Sequence, residues 1–90
     1  MKLEWSRAAL RHLRQMREYI AENNPAAAAG VADRIIEATK QLALFPQSGR
    51  AGRLPHTREL VISDTPYIVV YRVTNNVFEI AAVVHGARKW

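Results

Sequence analysis

The C-terminal residues of the chain combine side chains that often form binding sites. Segment 85–90 reads HGARKW and directly follows an apolar, alternating stretch. Because Trp and Arg are the side chains most enriched at binding hot spots, we predict that Arg88, Lys89 and Trp90, together with His85, bind the target of this protein. Two structural explanations stand beside this prediction. His85 could simply bond the backbone at a strand end, and Trp90 could fold back on the sheet or belong to a frayed end.

Arginine supplies most of the positive charge of the chain. Thirteen Lys and Arg against eight Asp and Glu give a formal charge of +5 and a pI near 10.2. The guanidinium group recognises phosphate and carboxylate in a bidentate manner, so we expect an anionic partner. That partner could be nucleic acid, an enzyme that acts on nucleic acid, or an acidic protein, and charge alone does not choose among them.

Composition excludes several classes of protein and site. The chain has no cysteine, which excludes disulfides, thiolate catalysis and zinc-cysteine sites. No histidine or carboxylate has ligand spacing with His85, and segment 46–56 lacks a nucleotide-binding glycine pattern, so we expect no metal and no cofactor. No apolar run approaches the roughly 20 residues of a membrane span, and the N-terminus MKLEW does not resemble a signal peptide. We therefore expect a cytoplasmic protein of one domain, residues 1–90, with no membrane partner.

Two amphipathic helices are predicted in the first half of the chain. Lys2 to Trp5 is a short candidate strand, and Ser6 is a suitable N-cap for the first helix. Asn24 and Pro25 suit the cap and the first position of a second helix. Gly30 lies inside this second helix, where we expect it to allow close packing against a neighbour. The apolar positions form one stripe on each helix: Ala9, Leu13, Met16 and Ile20, then Val31, Ile35, Ala38 and Leu42.

The first helix also carries a charged face. Arg7, Arg11 and Arg14 lie on the side opposite the apolar stripe. Such a face is usually solvated, but arginines in line also suit an acidic partner. His12 lies off both faces, and the sequence assigns it no role.

Three strands are predicted in the second half of the chain, after a basic connecting loop over 46–56. The first is Thr57 to Ile62, and the second, Tyr67 to Val73, is apolar on both faces and therefore belongs in the middle of a sheet. Asn75-Asn76 marks a hairpin turn before a last strand from Val77 to Val84. The predicted fold is α+β, with an N-terminal strand, a helical hairpin and an antiparallel three-stranded meander.

The chain resembles the RelE/ParE toxin family of bacterial type II toxin-antitoxin modules over nearly its whole length. The motifs that carry the resemblance occur in the family's order: Ser6-Arg7-x-Ala9-x-x-x-Leu13, Tyr19-Ile20-Ala21-x-x-Asn24-Pro25-x-Ala27-Ala28, Leu44-Phe45-Pro46-x-x-Gly49-Arg50, Arg58-Glu59-Leu60-Val61, Tyr67-x-Val69-Val70-Tyr71-Arg72-Val73 and Val83-Val84-His85-Gly86-Ala87-Arg88.

This resemblance implies a toxin that a cognate antitoxin neutralises in a hetero-oligomeric complex. The antitoxin would be ParD-like or RelB-like and would wrap an acidic segment around the toxin. The basic side chains predicted to meet that segment lie on the first helix and in the loop: Arg7, Arg11, Arg14, Arg50 and Arg53.

The resemblance implies two possible mechanisms, because the family divides on this point. Members of the RelE type resemble ribosome-dependent ribonucleases that cut messenger RNA and need a base, an acid and an arginine on the scissile phosphate. The residues available here for that chemistry are His85 for proton transfer and three arginines for phosphate: Arg58, Arg72 and Arg88. Members of the ParE type inhibit DNA gyrase without a known cleavage chemistry.

The residues favour the ParE type. RelE-type members usually have Arg-Leu-Val-Tyr in the central strand, and the matching residues here begin with Ile68, which cannot bind phosphate. The ending HGAR over 85–88 is common in ParE-type sequences. We therefore predict a ParE-like inhibitor of DNA gyrase that acts by binding and is not an enzyme. A RelE-like messenger RNA endoribonuclease is the alternative, and a basic binding domain without toxicity is a second alternative.

Overall fold

The structure is a computed structural model and describes residues 2–87. The first half holds one strand and two helices, β1 (Lys2–Trp5), α1 (Arg7–Ala21) and α2 (Pro25–Leu44). The second half holds four strands, β2 (Arg50–Ala51), β3 (Arg58–Val61), β4 (Tyr67–Thr74) and β5 (Val77–His85). No helix among the described residues is long and apolar enough to cross a membrane.

The five strands form one mixed sheet in the order β1-β5-β4-β3-β2. The strands β2 to β5 pair antiparallel with their neighbours, and β1 pairs parallel with β5. The central position predicted for β4 is confirmed, as is the α+β fold. The loop prediction is wrong at one place, because Arg50 and Ala51 pair with Glu59 and Arg58 and form β2. Two residues are too few to show the alternation that marks a strand in sequence.

Local sequence signals determine where each helix begins and where the last hairpin turns. The Ser6 hydroxyl accepts a hydrogen bond from the Ala9 N–H at 3.0 Å, and the Asn24 side chain accepts one from the Ala27 N–H at 3.1 Å. Both predicted caps are therefore confirmed. Asn75 and Asn76 have φ angles of 49° and 64°, which is the geometry that a two-residue hairpin turn requires and that Asn tolerates.

The core lies between one face of the sheet and both helices. Its fully buried members come from α1, α2, β4 and β5: Ala9, Ile35, Leu42, Val69, Tyr71, Phe78 and Ile80. The rings of Tyr71 and Phe78 stack with their centroids 4.8 Å apart. The other positions of the two predicted stripes are either buried or packed against this core, so the helical periodicity identified the correct faces.

Gly30 contradicts the sequence prediction. It is exposed, and a Cβ atom built there has no atom within 4 Å. No close packing therefore requires a glycine at this point of α2.

Replacing Gly30 by alanine is expected to raise the free energy of unfolding by about 0.5–1 kcal/mol. The new methyl group meets open space, and alanine is the better helix former. Urea denaturation of the two proteins measures the difference. Gly49→Ala is the control and is expected to lower the free energy of unfolding, because a Cβ at Gly49 collides with the Tyr71 hydroxyl. A loss of stability in Gly30→Ala would contradict the open surroundings of this residue.

Candidate functional site

His85 ends β5 and lies at the base of the C-terminal segment. It pairs across the sheet with Tyr67, and the two rings meet edge to face with centroids 5.5 Å apart. The His85 Nδ1 atom accepts a hydrogen bond from the Ala87 N–H at 3.2 Å. The structural explanation for His85, a histidine bonded to the backbone at a strand end, is therefore observed.

Gly86 determines where the chain leaves the sheet. Its N–H donates a 2.7 Å hydrogen bond to the Pro66 carbonyl, and a Cβ on Gly86 would lie 3.2 Å from that oxygen and 3.3 Å from Ile68 Cδ1. The chain therefore departs beside the turn between β3 and β4. The predicted target-binding residues Arg88, Lys89 and Trp90 lie outside the described residues, so their role stays a prediction.

The residues considered for ribonuclease chemistry are divided between two ends of the sheet. Arg58 pairs with Tyr71, and Arg72 pairs with Glu79, whereas His85 pairs with Tyr67. Tyr71 lies four positions after Tyr67 in β4, which corresponds to about 13 Å at the rise of a strand. His85 is thus not brought together with Arg58 or Arg72, and Arg88 lies beyond the described residues.

The part of β4 next to His85 is apolar. Ile68 is 6% exposed and pairs with Val84, so this pair places no charge where a phosphate could be held. Within residues 2–87, no group of three or more His, Asp or Glu side chains could hold a metal ion.

Arg58 anchors the loop that precedes β2. Its Nη1 atom donates to the Gly49 carbonyl at 2.7 Å, and its Nη2 atom donates to Gln47 Oε1 at 2.6 Å. The Tyr71 hydroxyl supports the same loop, because it accepts a 2.8 Å hydrogen bond from the Gly49 N–H and donates a 3.0 Å one to the Pro46 carbonyl. Burial raises the pKa of Tyr71 above its ordinary value, against the opposing effects of the Gly49 hydrogen bond and the Arg58 charge.

Glu59 is a buried carboxylate that sequence reasoning missed. It is 3% exposed, and it accepts hydrogen bonds from Arg50 Nη2 at 3.3 Å and from the Arg53 N–H at 2.9 Å. Arg72 does not contribute to this group and pairs with Glu79 at 3.1 Å. The Arg50 side chain and the backbone N–H of Arg53 thus satisfy Glu59, which must be paired because it is buried.

The five arginines predicted to meet an antitoxin fall into two groups. Arg7, Arg11 and Arg14 are exposed on α1, and none of them forms a salt bridge with another described residue. Arg50 and Arg53 lie together in and beside β2, where both contact Glu59. The α1 group, which we call the arginine face, thus consists of three exposed arginines without a salt bridge to another described residue.

His12 has a structural role that the sequence did not reveal. Because β1 covers β5 only as far as Ile80, the next part of that edge needs other partners. The Ser6 hydroxyl donates to the Ala81 carbonyl at 2.9 Å, and His12 Nδ1 accepts a hydrogen bond from the Val83 N–H at 3.2 Å. Burial, with a smaller effect from Arg11, lowers the pKa of His12 below its ordinary 6.5.

The stability of the protein is expected to fall as pH drops below 6.5, in part because of His12. The unfolded chain takes up a proton on His12 at a higher pH than the folded one, so acid favours unfolding. Protonation also turns the acceptor nitrogen into a donor that faces the Val83 N–H. In the wild type, the urea midpoint should be lower at a pH below this pKa than at a pH above it. In His12→Gln, the two midpoints should lie closer together. His56→Gln, at an exposed loop histidine, is the control and should keep the wild-type dependence; an equal change in both variants would exclude His12 as the cause.

Comparisons with known proteins agree with this architecture. A family model described as ParE toxin of type II toxin-antitoxin system, parDE, matches residues 3–90. The chain is 45% identical over 89 residues to putative toxin Y4kP of Sinorhizobium fredii, covering 99% of this chain and 92% of that protein. It is 36% identical over 84 residues to toxin RelE2 of Caulobacter vibrioides, covering 93% of each. A solved structure described as the chromosomal ParDE TA system from P. aeruginosa superposes with a TM-score of 0.84 at 25% identity, covering 94% of this chain and 95% of that one.

Proposed function

Because the chain belongs to the ParE toxin family of type II toxin-antitoxin systems, we propose that it inhibits DNA gyrase by binding, without cleavage chemistry of its own. The segment Arg88 to Trp90 is proposed to contact the target, with His85 at its base. Its departure point beside Pro66 supports this assignment, because the Gly86 hydrogen bond at 2.7 Å holds the base of the segment in one place.

One observation carries the choice of binding over cleavage. A ribonuclease needs its proton-transfer group and its phosphate-binding arginine around one scissile bond. His85 lies at one end of the β4–β5 pair, whereas Arg58 and Arg72 lie at the other.

A cognate antitoxin is proposed as the physiological partner. The structural neighbour is described as a ParDE system, which supports a complex of toxin and antitoxin for this chain as well. The arginine face of α1 is proposed to bind an acidic segment of that antitoxin, since its three cations have no salt-bridge partner among the described residues.

The similarity to toxin RelE2 favours a second candidate, a ribosome-dependent endoribonuclease. One preparation of the protein, tested in a gyrase supercoiling assay and in a cleavage assay on programmed ribosomes, separates the two. We expect inhibition of supercoiling and intact messenger RNA. Cleavage that disappears in His85→Ala would instead establish the ribonuclease and contradict gyrase as the target.

A further inference from the structure

A basic cleft lies at the end of the sheet opposite His85. It has a volume of about 490 Å³ and opens where β3 begins and β4 ends. Polar and charged residues contribute much of its lining: Gln47, His56, Thr57, Arg58 and Arg72. Neither His85 nor the arginine face of α1 lines this cleft.

Arg58 gives the cleft a fixed positive charge. Its two hydrogen bonds go to neutral acceptors, the Gly49 carbonyl and the Gln47 side chain, and no described carboxylate forms a salt bridge with it. The charge is therefore not neutralised, and the two hydrogen bonds fix the orientation of the guanidinium before any anion binds. An anion that binds such a group does not have to order it first, and the remaining N–H donors of the fork are available.

Arg72 supplies a second cation that an anion can recruit. Its Nε atom lies 3.1 Å from Glu79 Oε1, and the two side chains are 47% and 38% exposed. Exposed pairs of this kind are weak, so a bound anion can replace Glu79 as the partner of Arg72. His56 lies in the same lining and is exposed.

We propose that this cleft binds the phosphodiester backbone of a nucleic acid, with Arg58 as the fixed anchor and Arg72 as the second contact. The planar fork of arginine matches phosphate geometry. Segment 47–59, which borders the cleft, contains three arginines and one carboxylate and so carries a net charge of +2. A spread of positive charge along a segment suits the repeated charges of a backbone better than a single carboxylate. The proposal goes beyond gyrase inhibition and does not depend on it.

The test measures the binding of a short fluorescein-labelled DNA duplex to the protein without gyrase present. Fluorescence anisotropy gives the affinity over a range of salt concentrations. Arg72→Gln is expected to weaken binding roughly eightfold at about 0.1 M salt and to reduce the slope of log K against log salt by about 0.9, the value for one lost phosphate contact. Glu79→Gln is expected to strengthen binding, because it releases Arg72. An RNA of the same sequence, run in parallel, shows which nucleic acid is preferred.

Arg34→Gln is the matched control, since it removes the same charge from a residue that pairs with Asp64 away from the cleft. It should leave the salt slope unchanged. An equal loss in Arg34→Gln and Arg72→Gln would mean general attraction to the basic protein and would overturn the proposal. Tighter binding of an oligoglutamate peptide, with the same dependence on Arg72, would also overturn it in favour of an acidic peptide. A protein that binds DNA as expected but does not inhibit supercoiling would contradict the gyrase function alone.

Discussion

Removal of Arg88 to Trp90 is expected to abolish inhibition of DNA gyrase and to leave the fold intact. Among the described residues, every member of the buried cluster lies between Ala9 and Val83, so the truncation removes none of these side chains. The chain is already held at Gly86 by its hydrogen bond to Pro66. A cationic segment that ends in tryptophan has the side chains most often responsible for binding energy at an interface. Supercoiling assays measure the inhibition, and thermal unfolding checks the fold.

Two further variants separate the contributions within this segment. Trp90→Ala tests the aromatic anchor, and Arg88→Gln with Lys89→Gln tests the charge. Lys2→Gln with Lys40→Gln is a control that removes equal charge from two residues already paired with carboxylates of their own chain. Undiminished inhibition by the truncated protein would contradict the assignment, as would an equal loss in the control.

The fold was predictable to the extent that it depends on local signals. The caps at Ser6 and Asn24 and the turn at Asn75-Asn76 each need only neighbouring residues, and the structure has all three. The central position of β4 followed from its two apolar faces, and the observed strand order confirms it. Family membership also followed from motifs spread along the chain, and the family match over residues 3–90 confirms it.

The candidate site was less predictable because its contacts join residues that are distant in sequence. His12 receives its hydrogen bond from a residue 71 positions away, and no local pattern indicates that β1 stops short of covering that edge. The burial of Glu59 depends on a loop that folds back over β3 and brings Arg50 and Arg53 to it. The close packing predicted at Gly30 was wrong, because a glycine in a helix does not reveal whether anything lies beside it.

Strand register has the largest consequence for function in this protein. Residue types alone allowed His85, Arg58 and Arg72 to form one catalytic group. The pairing of β4 with β3 and β5 separates them along the sheet, and the two ends then have different properties. One end carries the base of the C-terminal segment, and the other carries the cleft around Arg58.

Neutralising the arginine face of α1 is expected to weaken the complex with the antitoxin by roughly 30-fold. The variant is Arg7→Gln/Arg11→Gln/Arg14→Gln. If each cation contributes within the range of about 0.2–1 kcal/mol measured for exposed ion pairs, the loss is near 2 kcal/mol, which corresponds to that ratio. Binding of the purified antitoxin by calorimetry at two salt concentrations gives the affinity. The loss should shrink at high salt, because exposed charges are screened.

The control for this variant removes the same amount of charge from residues that have partners within the chain. Lys2, Arg34 and Lys40 pair with Glu4, Asp64 and Glu37, respectively. Their replacement by Gln lowers the net charge of the toxin by the same three units but leaves the arginine face unchanged. We expect only a small loss of affinity in this control. If the two triple variants bind the antitoxin equally weakly, the attraction depends on overall charge, and the arginine face of α1 is not the docking surface.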